Sequence, residues 1–121
     1  MPYFVMLKDG ADYEINLVEF AVQLKQRWPM IEFRQSLPGE TVILEWTIRN
    51  EVVCLDGQLQ DRHGTLVLDE YPAAIAEFAV WYRNFIPDQY RLFVYHDSDA
   101  ELEVEIRNDS RPEEIIRGLS G

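Results

Sequence analysis

Two hydrophobic periods take turns along this chain, and the points where one gives way to the other mark its elements. Tyr3 to Leu7 is a short apolar run that reads as a strand or an extended arm. Lys8 to Tyr13, with Gly10 and two Asp, reads as a loop. Asn16 followed by Glu19 has the spacing of a capping box, which satisfies two orphan amides at a helix start. Leu17, Phe20, Ala21, Leu24 and Trp28 then recur at helical spacing, with Val18 and Val22 widening the stripe and Glu19, Gln23, Gln26 and Arg27 opposite. Pro29 lacks the amide that a continuing helix would need. The spacing predicts an amphipathic helix packed on a broad apolar surface such as a sheet.

From Met30 to Asp69 the period becomes two. The stretch "IEFRQ" is short and alternating, "LPGE" is a turn, and "TVILEWTIR" puts Val42, Leu44, Trp46 and Ile48 on one face with Glu45, Thr47 and Arg49 on the other. Asn50-Glu51 is a candidate tight hairpin turn, "VVCLDGQLQ" a third strand with Gly57 as a candidate bulge, "DRHG" a turn and "TLVLD" a fourth strand. Tyr71-Pro72 opens a second helix, with Ile75, Phe78, Trp81, Tyr82, Phe85 and Ile86 on one face. Glu77, Arg83 and Asn84 fall away from that face, and Val80 is expected to be exposed among them. Tyr90 to His96 and Leu102 to Arg107 form a hairpin around Asp97-Ser98-Asp99. Ser110, Pro112 and Glu113 start a short last helix.

Strand runs separated by helices, without regular alternation, indicate an α+β fold. The expected architecture is an antiparallel sheet of about five to six strands, with the two longer helices on one face and a short C-terminal helix. A length of 121 residues, of which 47% are hydrophobic, suits one domain over residues 1–121. Three Trp, six Tyr and six Phe supply large buried surfaces. The lone Cys54 has no intramolecular disulfide partner and, inside an apolar run, is expected to be a buried thiol. The N-terminal segment lacks the basic start of a signal peptide, and no apolar run approaches membrane-span length, so the expected location is the cytoplasm.

Charge narrows the range of partners. Twenty-two acidic against eleven basic residues give a net charge of −11. Such a field repels phosphate backbones and anionic lipid, which argues against nucleic-acid and membrane partners, and it favours solubility and basic partners. A nucleic-acid mimic would need carboxylates spaced over a surface, and only one strand carries such a row.

That row is Glu101, Glu103 and Glu105. Alternation puts the three on one sheet face, with Leu102, Val104 and Ile106 on the other. A three-residue hairpin loop would pair Arg91 with Glu105, Phe93 with Glu103 and Tyr95 with Glu101, exposing an acidic and aromatic strip. A two-residue loop would bury Phe93 and Tyr95 instead. The first is preferred because it gives Arg91 an acidic partner. Phe93, Tyr95, Glu101, Glu103 and Glu105 are therefore the candidate partner-binding residues, on what is otherwise a solvated sheet face. Asp97, Asp99 and Glu101 offer oxygens at alternate positions, like part of a calcium loop. The central Gly and the twelfth-position Glu of that loop are missing, and Asn108 stands where the Glu would be. His63, His96 and Cys54 have no zinc-site spacing, and His63 is expected to be exposed at a loop tip. "HDSD" crowds a His, a Ser and two Asp into one turn, where they cannot converge as a catalytic triad does. No phosphate-loop, dinucleotide or nucleophile-elbow motif is present. No cofactor is implied.

The stretch "AEFAVWYRNFIPDQYRLFVYHDSDAELEVEI", followed by "RPEEII", resembles a family of small acidic bacterial proteins with no assigned activity. The resemblance implies a bacterial origin and no catalytic residues. In element order the chain is similar to type III secretion chaperones, from which it departs by a fourth strand and a leading apolar segment. In size and acidity it is similar to toxin immunity proteins. The functional expectation is a non-enzymatic protein-binding module with a basic partner. The alternatives are a small enzyme or metal-binding protein with a carboxylate site, and a structural homodimer pairing through an edge strand or an exposed helix face.

Overall fold

The computed structural model describes residues 2–8, 12–34, 42–49, 54–69, 72–96 and 99–119, with the backbone alone for 99–102. The turns expected at Leu37-Pro38-Gly39-Glu40 and Asn50-Glu51 lie outside these residues, as do Gly10, Tyr71 and Asp97-Ser98. In chain order the elements are β1 (Pro2–Lys8), α1 (Leu17–Arg27), β2 (Glu32–Arg34), β3 (Leu44–Arg49), β4 (Cys54–Leu59), β5 (Leu66–Asp69), α2 (Pro72–Phe85), β6 (Arg91–His96), β7 (Asp99–Ile106) and α3 (Pro112–Leu119). This is an α+β fold.

All the strand pairings are antiparallel, in a seven-stranded sheet of order β2-β3-β4-β5-β1-β6-β7. The count exceeds the expected five to six because the leading apolar run is a full strand, paired with β5 on one side and β6 on the other. It joins the β2–β5 meander to the β6–β7 hairpin.

The helices cover one face. Phe20 of α1 meets Trp46 of β3 edge-on at 5.5 Å, while Phe78 of α2 lies between the indoles of Trp28 and Trp46, parallel to both, at 5.3 and 5.7 Å. These four side chains are almost fully buried, each adding about 1.5–3 kcal/mol of hydrophobic stabilisation. α3 packs over the β7 end, with Ile115 and Leu119 buried and Gly118 lying against Val104. α2 therefore has α1 on one flank and α3 on the other. This position explains why Ala74, Ala76 and Ala79 are buried beside the expected Ile75, Phe78 and Tyr82, while Trp81 keeps some exposure and Val80 packs against the core.

Several local expectations are corrected. Asn16 caps α1, its Oδ1 accepting from the Glu19 amide at 3.0 Å, but the Glu19 carboxylate turns along the helix to accept from Gln23 Nε2 at 2.6 Å. Val18 and Val22 do not widen the core stripe, being 74% and 47% exposed. Gly57 is no bulge. It sits in regular register between Trp46 and Leu68, and a Cβ there would come within 2.5 Å of Trp46 Cζ2 and Nε1. The glycine makes room for the indole. Cys54 is exposed, because it pairs with Arg49 on the solvent side of β4 while Leu55, Gly57 and Leu59 turn inward. The Ser110 hydroxyl accepts from the Arg107 amide at 2.8 Å, and the hydrogen-bond ladder of α3 starts one residue later, where the Arg111 carbonyl accepts from the Glu114 and Ile115 amides.

Arg83 departs furthest from expectation, as it is only 4% exposed. Its guanidinium folds back under the end of α2 and donates to the carbonyls of Tyr90 at 2.7 Å, Ile86 at 3.0 Å and Pro87 at 2.8 Å. One cation thus bonds three carbonyls of the segment that follows α2 and fixes the turn into β6. Across the molecule, the Tyr82 hydroxyl donates to the Gly64 carbonyl at 2.7 Å and anchors the β4–β5 turn, where Gly64 adopts a φ of 88°. Burial holds the Tyr82 phenol well above the usual range, with Tyr13 and Asp61 adding to the effect.

Two stability outcomes follow. Gly57→Ala, a change that ordinarily favours a strand, should instead cost about 1–3 kcal/mol in urea unfolding, because the methyl group overpacks Trp46. Arg83→Met should cost roughly 2–4 kcal/mol by the same measurement, because it removes the donor of the Ile86 and Tyr90 carbonyls and one of the two donors to that of Pro87. Arg83→Lys should recover only part of that loss, since an ammonium lacks the forked geometry.

Candidate functional site

The face of the sheet opposite the helices is formed by the other half of each strand's alternation. β1 contributes Pro2, Phe4, Met6 and Lys8, β5 contributes Val67 and Asp69, and β6 contributes Arg91, Phe93 and Tyr95. Glu103 and Glu105 of β7 lie at one side. Cys54, Asp56 and Gln58 of β4, Glu45, Thr47 and Arg49 of β3, and Glu32 and Arg34 of β2 lie at the other. The apolar residues gather on the three adjacent strands β5, β1 and β6. There Phe4 and Tyr95, direct partners across the ladder, stack at 5.4 Å and 16°. Phe4, Met6, Val67 and Tyr95 are all half-buried. A stacked cross-strand aromatic pair both stabilises the sheet and offers a flat apolar surface.

Polar contacts surround this centre. Lys8 and Arg91 are cross-strand partners, an unfavourable placement for two like charges unless acids neutralise them. Lys8 Nζ reaches across β6 to Glu103 at 2.6 Å, and Arg91 Nη2 pairs with Glu105 at 3.1 Å, with Arg107 adding a contact to the same carboxylate at 3.7 Å. Their cationic groups lie over the ring of Phe93 at 4.2 and 5.0 Å. On the far side, Arg34 pairs with Glu45 at 3.5 Å, and the Thr47 hydroxyl donates to Asp56 at 2.8 Å. The Arg91 hydrogen bond and the charges of Arg91 and Arg107 hold the Glu105 carboxyl below the usual glutamate range, against a smaller opposing effect of burial.

The expected strip is therefore only partly assembled. Alternation places Phe93, Tyr95, Glu103 and Glu105 on one face, as expected. The register does not match either loop considered: Phe93 faces Glu105 and Tyr95 faces Glu103, two residues from the preferred pairing, and His96 then pairs with Asp99 across an irregularity. Additional β7 residues are accommodated between those last two pairs, a bulge that the spacing of apolar positions does not reveal. The Arg91–Glu105 ion pair survives the shift as a diagonal contact. Phe93 is not an exposed aromatic. It is 5% exposed, covered by Lys8 and Arg91. The side chain of Glu101 lies outside the described residues, as do those of Asp97 and Asp99, so the alternative metal set falls there too. Among the described residues no group of three His, Cys, Asp or Glu side chains is placed to share a metal ion.

Sequence reasoning missed Phe4, Met6 and Val67. The signal was present in the alternation of "PYFVMLK", but only the knowledge that this run is a central strand makes its second face a surface. His63, exposed as expected, is held in its turn by an Nδ1 contact to the Tyr13 carbonyl at 2.9 Å and by its amide donating to Asp61. A pocket of about 340 Å³ lies elsewhere and is lined by Glu14, Ile15, Leu17, Ile43, Leu59 and Arg62. No helix among the described residues is long and apolar enough to cross a membrane. No family model, curated protein or solved structure matches the chain.

The ion-pair lattice has a testable pH signature. Because the folded-state pKa of Glu105 is depressed, its contribution to stability is complete above the unfolded-state value and is lost as pH falls through the folded one. A carboxyl-carbon NMR titration should place the Glu105 midpoint below that of an ordinary glutamate, and Arg91→Gln should move it upward. An unchanged midpoint in the variant would show that Arg91 is not the cause.

Proposed function

We propose that this chain is a non-enzymatic protein-binding module whose docking surface is the helix-free face of its sheet. The observation that carries the reading is the stacked Phe4–Tyr95 pair at an apolar centre that none of the three helices covers. Charge and contact have separate roles in this arrangement. Glu103 and Glu105 are already engaged by Lys8 and Arg91, so affinity comes mainly from the apolar centre. The net charge of −11 attracts a basic partner and speeds encounter. The likeness in size and acidity to toxin immunity proteins and secretion chaperones supports an immunity-like or chaperone-like binder of a basic protein.

The test uses the tagged protein as bait in extracts of its native cell, with captured proteins identified by mass spectrometry. A basic protein held by the wild type should be lost with Phe4→Lys, a variant that should melt several degrees below the parent for want of the Tyr95 stack yet remain folded at the temperature of capture. The on-rate of the purified pair should fall steeply with added salt. Equal capture by wild type and Phe4→Lys would remove the sheet face as the docking surface.

A further inference from the structure

A second surface is independent of the sheet face. On α1, Val22 points almost directly away from the core and Val18 lies one turn before it, 47% and 74% exposed respectively. Two β-branched apolar residues spaced i, i+4 on the outer face of a helix contribute nothing to this chain's own core. They form a short ridge of the kind that packs against another helix.

The charges around the ridge indicate what that helix is. The chain has twice as many acids as bases, yet α1 carries one acid, Glu19, and two bases, Lys25 and Arg27. The acid is in the first turn and both bases are in the last. The approach to the helix is also acidic, with Asp12 and Glu14 exposed before it. A helix acidic at its start and basic at its end is complementary to a reversed copy of itself. Glu19 and Lys25 stand three residues on either side of Val22. A two-fold axis at Val22 therefore sets Val22 against its twin and Val18 beside the Gln26 level of the other helix, with the Glu19 level of one helix beside the Lys25 level of the other. The antiparallel macrodipoles add to the attraction. Elsewhere the excess of acids would make two copies repel. Along α1 it does not.

We infer that α1 is a homodimerisation seam, in which Val22 of one copy packs antiparallel on Val22 of a second copy, with Val18 against the aliphatic stem of Gln26, closed by Glu19–Lys25 pairs across a two-fold axis. The isologous arrangement is self-limiting and gives dimers, not chains. One helix of eleven residues, about 16 Å long, buries little area, so the dimer is weak, with a dissociation constant of roughly 1 to 100 μM. It leaves the sheet face of both copies open.

Sedimentation velocity from about 5 to 500 μM, a range chosen to bracket that affinity, tests the seam on the intact chain. The wild-type mass should rise from 14.3 kDa toward twice that value. Val22→Glu should remain monomeric, and its exposed position should leave the melting temperature unchanged. Glu19→Lys and Lys25→Glu should each weaken association, and the double exchange should restore it. In a Cys54→Ser background, Val22→Cys should oxidise to a cross-linked dimer. Phe4→Lys should dimerise as the wild type does. A wild-type monomer at every concentration would overturn the inference. So would a dimer that survives Val22→Glu, or one that Phe4→Lys abolishes, which would put the contact on the sheet face.

Discussion

The fold depends on a chain segment from the far N-terminus being held between two strands remote from it in sequence. β1 pairs with residues 66–69 on one side and 91–96 on the other, so each ladder closes a long loop before any contact compensates for the lost entropy. Without β1 the sheet is a four-stranded meander and a separate hairpin, and α2 would bridge a gap. With it, Tyr3, Val5 and Leu7 add a continuous apolar row beneath the helices. The cost is that the same alternation leaves Phe4 and Met6 on the side that no described helix reaches. The half-buried apolar centre is thus a consequence of making an apolar segment the middle strand.

The elements were legible in the sequence where one period ran long enough to be unambiguous. The α1 cap, the β3 alternation and the Pro87 boundary of α2 all follow from local chemistry. So does the parity of the β6–β7 hairpin, because a one-residue slip would expose Leu92 and Val94. What local chemistry could not supply is the neighbour. Its charge predicts an outward Arg83, but a long side chain three to seven residues from the carbonyls of a tight turn has a better destination than water. Val18 and Val22 were placed inward as apolar residues, although the core stripe was already complete with Phe20, Leu24 and Trp28. Cys54 was assigned by its apolar run instead of by its partner across the ladder. Each error treated a residue's polarity as its address.

The hairpin register shows the same limit at the candidate site. Its parity follows from the hydrophobic pattern, but its exact pairing is two residues from the expected one, and the ladder is irregular between the Tyr95 and His96 pairs. Opposite charges tolerate that shift, since long side chains reach diagonally, and Arg91 still finds Glu105. Aromatic exposure does not. Phe93 was expected at the surface beside a carboxylate, and it is instead enclosed by two cations that those carboxylates position.

This changes what the acidic row is for. Lys8 and Arg91 face each other across β1 and β6, and two cations so placed would repel. Glu103 and Glu105 neutralise them from the next strand, and the resulting lattice covers Phe93. Those glutamates are therefore counter-ions required by the sheet, and only secondarily a surface for anything else. A partner meeting this face finds charges already balanced at its margin and a half-buried aromatic pair at its centre. Selectivity under those conditions comes from shape and apolar fit at Phe4 and Tyr95, with the long-range field of the other acids governing how fast a partner arrives.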